Sequence, residues 1–221
     1  MKVKAEYSPV RISKSVILYI FLISLAVITV FPFYHMIIVA LRGGRTPLKF
    51  SLPVNLTLEA FTDLFINTEI LHWIVNTIIY AGSLALITPF IDILIAYPLA
   101  KGKFPGRDFI FIIVLLWTLI PFQSTLVPLF ILTAKLGLVN SLLGVIIPGI
   151  PTPMGVFFLR QYILSIPNDL IDSAKIDGCS QFQIVWRIIF PICMPALLTL
   201  CILKFVYHWG FFIWPLVVLR D

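Results

Sequence analysis

Residues 165–190 read SIPNDLIDSAKIDGCSQFQIVWRIIF, a polar and patterned stretch set between two long apolar blocks. Connections between packed helices usually need only about 2–8 residues, so this one is built for something more than joining. Pro167 and Asn168 give a helix start, and Asp169 and Asp172 suit the positive end of its dipole. Leu170, Ile171 and Ala174 fall on one face by helical spacing. Gly178 then ends the helix, because glycine accepts the left-handed conformation that helix ends require. Ser180 can cap a second helix carrying Phe182, Val185, Trp186 and Ile189, with Pro191 at its end. The stretch therefore predicts two short amphipathic helices joined at Asp177-Gly178. A helix tethered at both ends must move when its flanking elements rock, and a partner gripping it can move them in turn. The plainer alternative is an interfacial helix that only anchors the loop.

The flanking blocks are transmembrane in character. Hydrophobic residues make up 60% of the chain, charged residues 12%, and mean hydropathy is +1.06. A soluble domain carries about 25% charged residues, so too little polar surface remains here to solvate a globule. A span needs roughly 20 apolar residues, and five candidates satisfy this: 15–41, 73–99, 109–132, 142–164 and 192–219. The first is much longer than the apolar core of a cleaved signal peptide, so it reads as an uncleaved anchor. These segments predict an all-α polytopic helical bundle in the lipid bilayer.

Lys and Arg set the orientation. With the 1–14 tail inside, Lys2, Lys4, Arg11, Lys14, Lys101, Lys103, Arg107, Arg160, Lys175 and Arg187 lie on the inner side. Only Arg42, Arg45, Lys49, Lys135 and Arg220 lie outside. The N-terminus is therefore expected in the cytoplasm. The outer segment 42–72 contains Pro47, Pro53 and a helix start at Thr57-Leu58-Glu59, enough for a short extracytoplasmic helix. An odd number of spans puts Arg220-Asp221 outside directly after an apolar block, which reads as a truncation point before a sixth span.

Several function classes drop out. The net charge of +6 sits in short clusters between apolar blocks, without the basic, aromatic-interleaved face of a nucleic-acid binder. Cys179, Cys193 and Cys201 form no CxxC pattern, and His35, His72 and His208 stand at no metal-ligand spacing. No nucleophile and base converge as an enzyme would need, and no GxxxxGK[ST] phosphate loop is present.

Polar groups inside spans are functional candidates, because a charge in hydrocarbon must be paired or wet. Asp92 and Lys204 stand out, either as a mutual pair or as lining of a solute path, with a place for Asp92 near the cytoplasmic end, close to Lys101 and Lys103, as the alternative. Gln123, Ser124 and Thr125 follow Pro121, where a proline kink frees backbone hydrogen-bonding groups. Trp117 and Phe122 can stack on a sugar face. For each, helix packing is the plainer alternative.

The 165–190 loop resembles the signature of permease subunits of binding-protein-dependent ABC importers: Glu-Ala-Ala, two residues, Asp-Gly, nine residues, Ile, any residue, Leu-Pro. Asp172-Ser173-Ala174 stands for the first triplet, Asp177-Gly178 matches, and Ile188, Phe190 and Pro191 match the end with spacing intact. Asp172, Ser173 and Phe190 are the departures. Trp73-Ile74-Val75-Asn76-Thr77, Tyr97-Pro98-Leu99-Ala100, Phe104-Pro105-Gly106-Arg107, Leu136-Gly137-Leu138-Val139-Asn140-Ser141, Trp209 and Trp214-Pro215-Leu216 are similar to further family segments. They are typical of the carbohydrate uptake branch, the maltose-type second permease subunit. Gly210 and Phe211 stand where the family usually has Asn-Asp.

The resemblance implies a type I importer permease fold, five of six spans present, with 73–219 as the permease core. It implies that Asp172, Ser173, Ala174, Asp177 and Gly178 form a coupling helix docking on a cytoplasmic ATPase. The implied partners are a second homologous permease subunit, two ATPase subunits that use ATP and Mg, and an extracytoplasmic solute-binding protein. The chain itself would hold no cofactor and catalyse nothing, and would sit in a prokaryotic cell membrane, importing sugar. Another ABC importer branch (amino acid, peptide or ion) and a self-sufficient channel or secondary carrier are the alternatives.

Overall fold

The computed structural model describes residues 9–42 and 56–219, with side chains from Ser15 onward. Among these, every regular element is helical, and the β-type pairing is confined to an isolated bridge between Arg42 and Leu56. Lys2, Lys4, Arg45, Pro47, Lys49, Pro53 and the 220–221 truncation point lie outside the described residues. The chain divides into two compact units, 1–71 and 72–221.

The first unit carries α1 (Pro9–Ala40) and α2 (Glu59–Asn67). α1 starts inside the segment read as tail, with proline at its first position, where the missing N–H costs nothing. No residue in the apolar window of α1 is buried. α2 is the short helix expected after Thr57. Its N-cap is Leu58, with no side-chain cap bond, so Thr57 does not cap it.

The second unit is a helical bundle. α3 (Ile70–Lys101) runs unbroken for 32 residues and supplies the spine, about 48 Å at 1.5 Å per residue. Its buried face is rich in small residues, with Ala81, Ala85, Ala96 and Ala100 all shielded, as close helix approach in a membrane demands. The next two expected spans are bent pairs. α4 (Arg107–Trp117) and α5 (Phe122–Lys135) meet at 99°. Pro121 is the N-cap of α5, so it separates two helices where a kink in one continuous helix was expected. α6 (Leu142–Ile146), with a 3-10 turn to Gly149, meets α7 (Pro153–Leu164) at 43°. Ser141 and Thr152 cap α6 and α7 by accepting from Gly144 and Gly155 N–H.

The 165–190 stretch forms α8 (Asn168–Ile176) and then a longer helix. The latter comprises α9 (Gln181–Ile184), a π-helical segment 185–189 and α10 (Phe190–Ile192). Pro191 does not end it. The break falls at Cys193, after which α11 (Met194–Gly210) leaves at 75°. The fifth expected span, 192–219, is thus divided between α11 and α12 (Ile213–Val218), which follows a second break at Phe211 and Phe212, just after the family departure at Gly210.

Two apolar cores lie along α3. One joins Ile93, Ala96 and Leu99 to Leu159, Ile163, Ile171, Ile189 and Leu197. The other joins Tyr80 and Leu84 to Val145, Trp214 and Val218, with Phe122 and Phe211 packed against it. The first core reaches down to α8, so the loop helix is bolted to the bundle through its own buried side chains.

Candidate functional site

α8 turns into α9 through a closed hydrogen-bond pattern. Gly178 N–H donates to Lys175 O at 3.0 Å and Cys179 N–H to Ala174 O at 2.9 Å. That is the paired closure in which the residue after the C-cap must be left-handed, and Gly178 sits at φ +80°. Ser180 then begins the next helix with a reciprocal box: its hydroxyl accepts from Gln183 N–H, and Gln183 Oε1 accepts from Ser180 N–H at 2.8 Å. The elbow between the helices is therefore held from both sides.

Burial divides the elbow into a fixed face and an offered one. Ile171 and Ala174 are buried against the bundle, as are Ile184, Val185 and Ile189. Leu170 and Phe182, expected on the buried faces, are exposed. Asp172, Ser173, Asp177 and Gly178 are exposed as well, and Ile176 is 87% exposed at the tip. Asp172 accepts from Lys175 Nζ at 2.8 Å. That hydrogen bond and its charge hold the Asp172 carboxyl below its usual range and the Lys175 ammonium above it. Both groups stay ionised through neutral pH, and the pair stiffens the last turn of α8.

The elbow is also anchored to the ends of α3 and α7. Lys101 Nζ donates to Ile166 O at 2.6 Å and to Asn168 Oδ1 at 2.8 Å. Arg160 Nε donates to Leu99 O at 3.0 Å, its guanidinium lies 3.8 Å from the Phe111 ring centre, and it reaches Asp108 at 3.4 Å. Cations expected on one side of the membrane from two separate inner segments, Lys101 from one and Arg160 from the other, are thus gathered at one end of the bundle.

The intramembrane candidates separate into groups. Trp117, Phe122 and Thr125 come together, with Thr118, Met154 and Phe157, around an open cavity of about 550 Å³ beside the α4–α5 break. Gln123 and Ser124 are exposed and do not line it. Asp92 is fully buried and does not line that cavity. It makes no ion pair with Lys204, although each lies within reach of the other's charge. Nor is it beside Lys101, which is about 14 Å further along α3 at helical rise.

Asp92 instead grips the start of α7. Its Oδ1 accepts Thr152 N–H at 2.9 Å and its Oδ2 accepts the Thr152 hydroxyl at 2.8 Å. A carboxylate bonded to orphan donors at a helix start is favoured by both hydrogen bonding and the dipole. Gly155 makes room for it: a Cβ there would overlap Asp92 Oδ2 and lie 2.7 Å from Thr152 Oγ1. Thr152 and Gly155 were not singled out from sequence, although Thr152-Pro153 carries a legible helix start. His208 is packed, its ring nitrogen 3.1 Å from the Tyr80 hydroxyl.

Comparison with known proteins places this geometry. Residues 92–221 match the family model described as binding-protein-dependent transport system inner membrane component. The chain is similar to the arabinooligosaccharides transport system permease protein AraQ of Bacillus subtilis, at 36% identity over 98% of this chain and 78% of that one. It is similar at 26% identity to the sn-glycerol-3-phosphate transport system permease protein UgpE of Yersinia pestis, over 67% of this chain and 53% of that one. Among solved structures, a chain of a bacterial ABC transporter that imports alginate superposes with a TM-score of 0.84. It shares 24% identity, over 99% of this chain and 78% of the other.

Proposed function

Because the chain belongs to the family of inner membrane components of binding-protein-dependent transport systems, we propose that it forms half of the translocation pathway of an ATP-driven sugar importer. In this reading the elbow at 165–190 is its handle. Two ATPase subunits on the cytoplasmic side bind ATP and Mg, and closure of that pair swings this chain and a second homologous permease subunit. A solute-binding protein delivers sugar on the outer side. The observation that carries the reading is the α8–α9 elbow, closed by Gly178, pinned through Ile171 and Ala174, and presenting Ile176 and Asp177 to solvent. A push on its exposed face reaches α3, α7 and α11 through side chains that have no slack.

Orientation follows from the uneven Lys and Arg count, which puts the N-terminus and the elbow inside a multi-pass prokaryotic cell membrane. Asp177→Cys in intact cells should resist an impermeant maleimide and react after the cells are opened. Equal labelling from outside would put the elbow beyond the reach of any ATPase and end the coupling account.

Sugar as the solute rests on the named substrate of the AraQ relatives, and on the aromatic cavity at the α4–α5 break. Trp117 is 52% exposed there, able to stack on the apolar face of a pyranose or furanose ring. Trp117→Ala should raise the sugar concentration for half-maximal uptake roughly two- to tenfold, the value of one aromatic stacking contact. Insertion should be unaffected. Uptake kinetics indistinguishable from the parent would remove Trp117 from the pathway.

A further inference from the structure

A second cavity, of about 600 Å³, opens at the elbow end of α3. Its walls combine two chemistries. Leu94, Phe182 and Val185 line it with hydrocarbon, while Lys101, Lys103 and Lys175 contribute three ammonium groups, and no acidic residue lines it. Lys175 is balanced by Asp172 at 2.8 Å. Lys101 gives two of its three N–H groups to Ile166 O and Asn168 Oδ1, which are neutral, so its charge is held in place but uncancelled. Lys103 is exposed and has no hydrogen bond or ion pair with a described residue. Three ammonium groups thus face one carboxylate.

Position makes this combination specific. Leu94 lies two helical turns before Lys101, about 10 Å deeper along α3, so the apolar wall runs back into the span while the lysines crown its end. Phe182, 65% exposed, belongs to the same lining, and aromatic residues favour a membrane–water boundary. A molecule matching both walls has a phosphodiester anion at one end and hydrocarbon at the other. We propose that this cavity binds the headgroup and upper chain of an anionic phospholipid, tying the elbow to the leaflet beside it. A concave pocket with an apolar wall running back along α3 suits an amphiphile, and basic pockets between helices at a membrane face are a known form of headgroup site. The cavity is separate from the Trp117 cavity, and only the choice of leaflet rests on the orientation proposed above.

The test is native mass spectrometry of the full chain, purified with its bound partners, delipidated and re-exposed to phosphatidylglycerol or phosphatidylcholine. Phosphatidylglycerol should be retained in preference. Lys103→Gln should lower its retention about fivefold, the value of one lysine near an anionic surface, and Lys103→Arg should restore it. Equal retention of the two lipids, or no change in Lys103→Gln, would overturn the proposal. Displacement by inorganic phosphate at equal efficiency would make the site one for soluble phosphate and would overturn it as well. None of these outcomes depends on which solute is carried or on uptake, so the lipid site and the importer reading fail independently.

Discussion

Gly178→Val should cut sugar uptake about 5- to 150-fold, the span of an ordinary coupling free energy between sites, while the chain inserts and accumulates normally. The separation of the two effects follows from the geometry. A Cβ on Gly178 meets nothing within 4 Å, so the added side chain starts into open space and the packed faces of α8 and α9 keep their partners. Only the backbone suffers. At φ +80° an L-residue pays about 1–2 kcal/mol, and branching at Cβ adds to it. The chain relieves that by rotating out of the left-handed region, which breaks the bonds from Gly178 and Cys179 to the last carbonyls of α8 and re-aims Ile176 and Asp177. The control is Gly178→Asn, because asparagine tolerates this conformation. Uptake and ATPase activity measured in vesicles should show valine uncoupled, alanine intermediate and asparagine close to the parent. If valine transports like the parent, the elbow is not the handle.

That turn was the most legible part of the chain. The order Pro167-Asn168, Asp177-Gly178 and Ser180 encodes a start, a stop and a restart with local chemistry alone, and local chemistry is what a single sequence displays; the Gln183 half of the box on Ser180 came only from the structure. The apolar blocks were equally legible as membrane material. Hydropathy averages over about 20 residues, however, so it cannot see a helix break when both halves are apolar. It therefore joined α4 to α5 and carried a span past Gly210. Pro121 marks one of these breaks, and Pro191 with Pro195 brackets another at Cys193. Their side of the break depends on tertiary packing, which decided that Pro121 would cap a helix and Pro191 would sit inside one.

Faces were read less well than elements. Helical spacing places Leu170 with Ile171 and Ala174, but an offset of one residue is a rotation of 100°. Which side meets α3 is decided by the fit of Ile171 into the core. The partner of Asp92 was beyond reach for another reason. Lys204 is the obvious charge complement, whereas Thr152 offers only a backbone N–H and a hydroxyl, groups that every span contains, and it lies sixty residues away. Charge matching favoured a bridge, while the structure satisfied the carboxylate with helix-start donors.

Asp92 is consequently expected to act on stability through α7, and a double-mutant cycle with Gly155 tests this. Asp92→Ala leaves the Thr152 N–H and hydroxyl without their acceptor in a buried site, a loss of about 1–3 kcal/mol. Gly155→Ala, made alone, drives a methyl into the carboxylate. Asp92 cannot swing aside freely, since both of its oxygens are held by Thr152, and overpacking of this kind costs about 1–3 kcal/mol. Made together, the two changes relieve each other: the methyl occupies the space the carboxylate vacates. The pair should therefore be less harmful than the sum of the singles by about 0.5–3 kcal/mol, the range for residues in contact. Thermal unfolding of the purified chain in detergent reads this directly, with Asp92→Asn as a near-isosteric control that can still bond Thr152. Additivity within about 0.5 kcal/mol would mean that the carboxylate and the glycine do not meet. Asp92 would then return to the candidates for the solute path, because a buried carboxylate freed from the start of α7 still needs a partner inside the membrane.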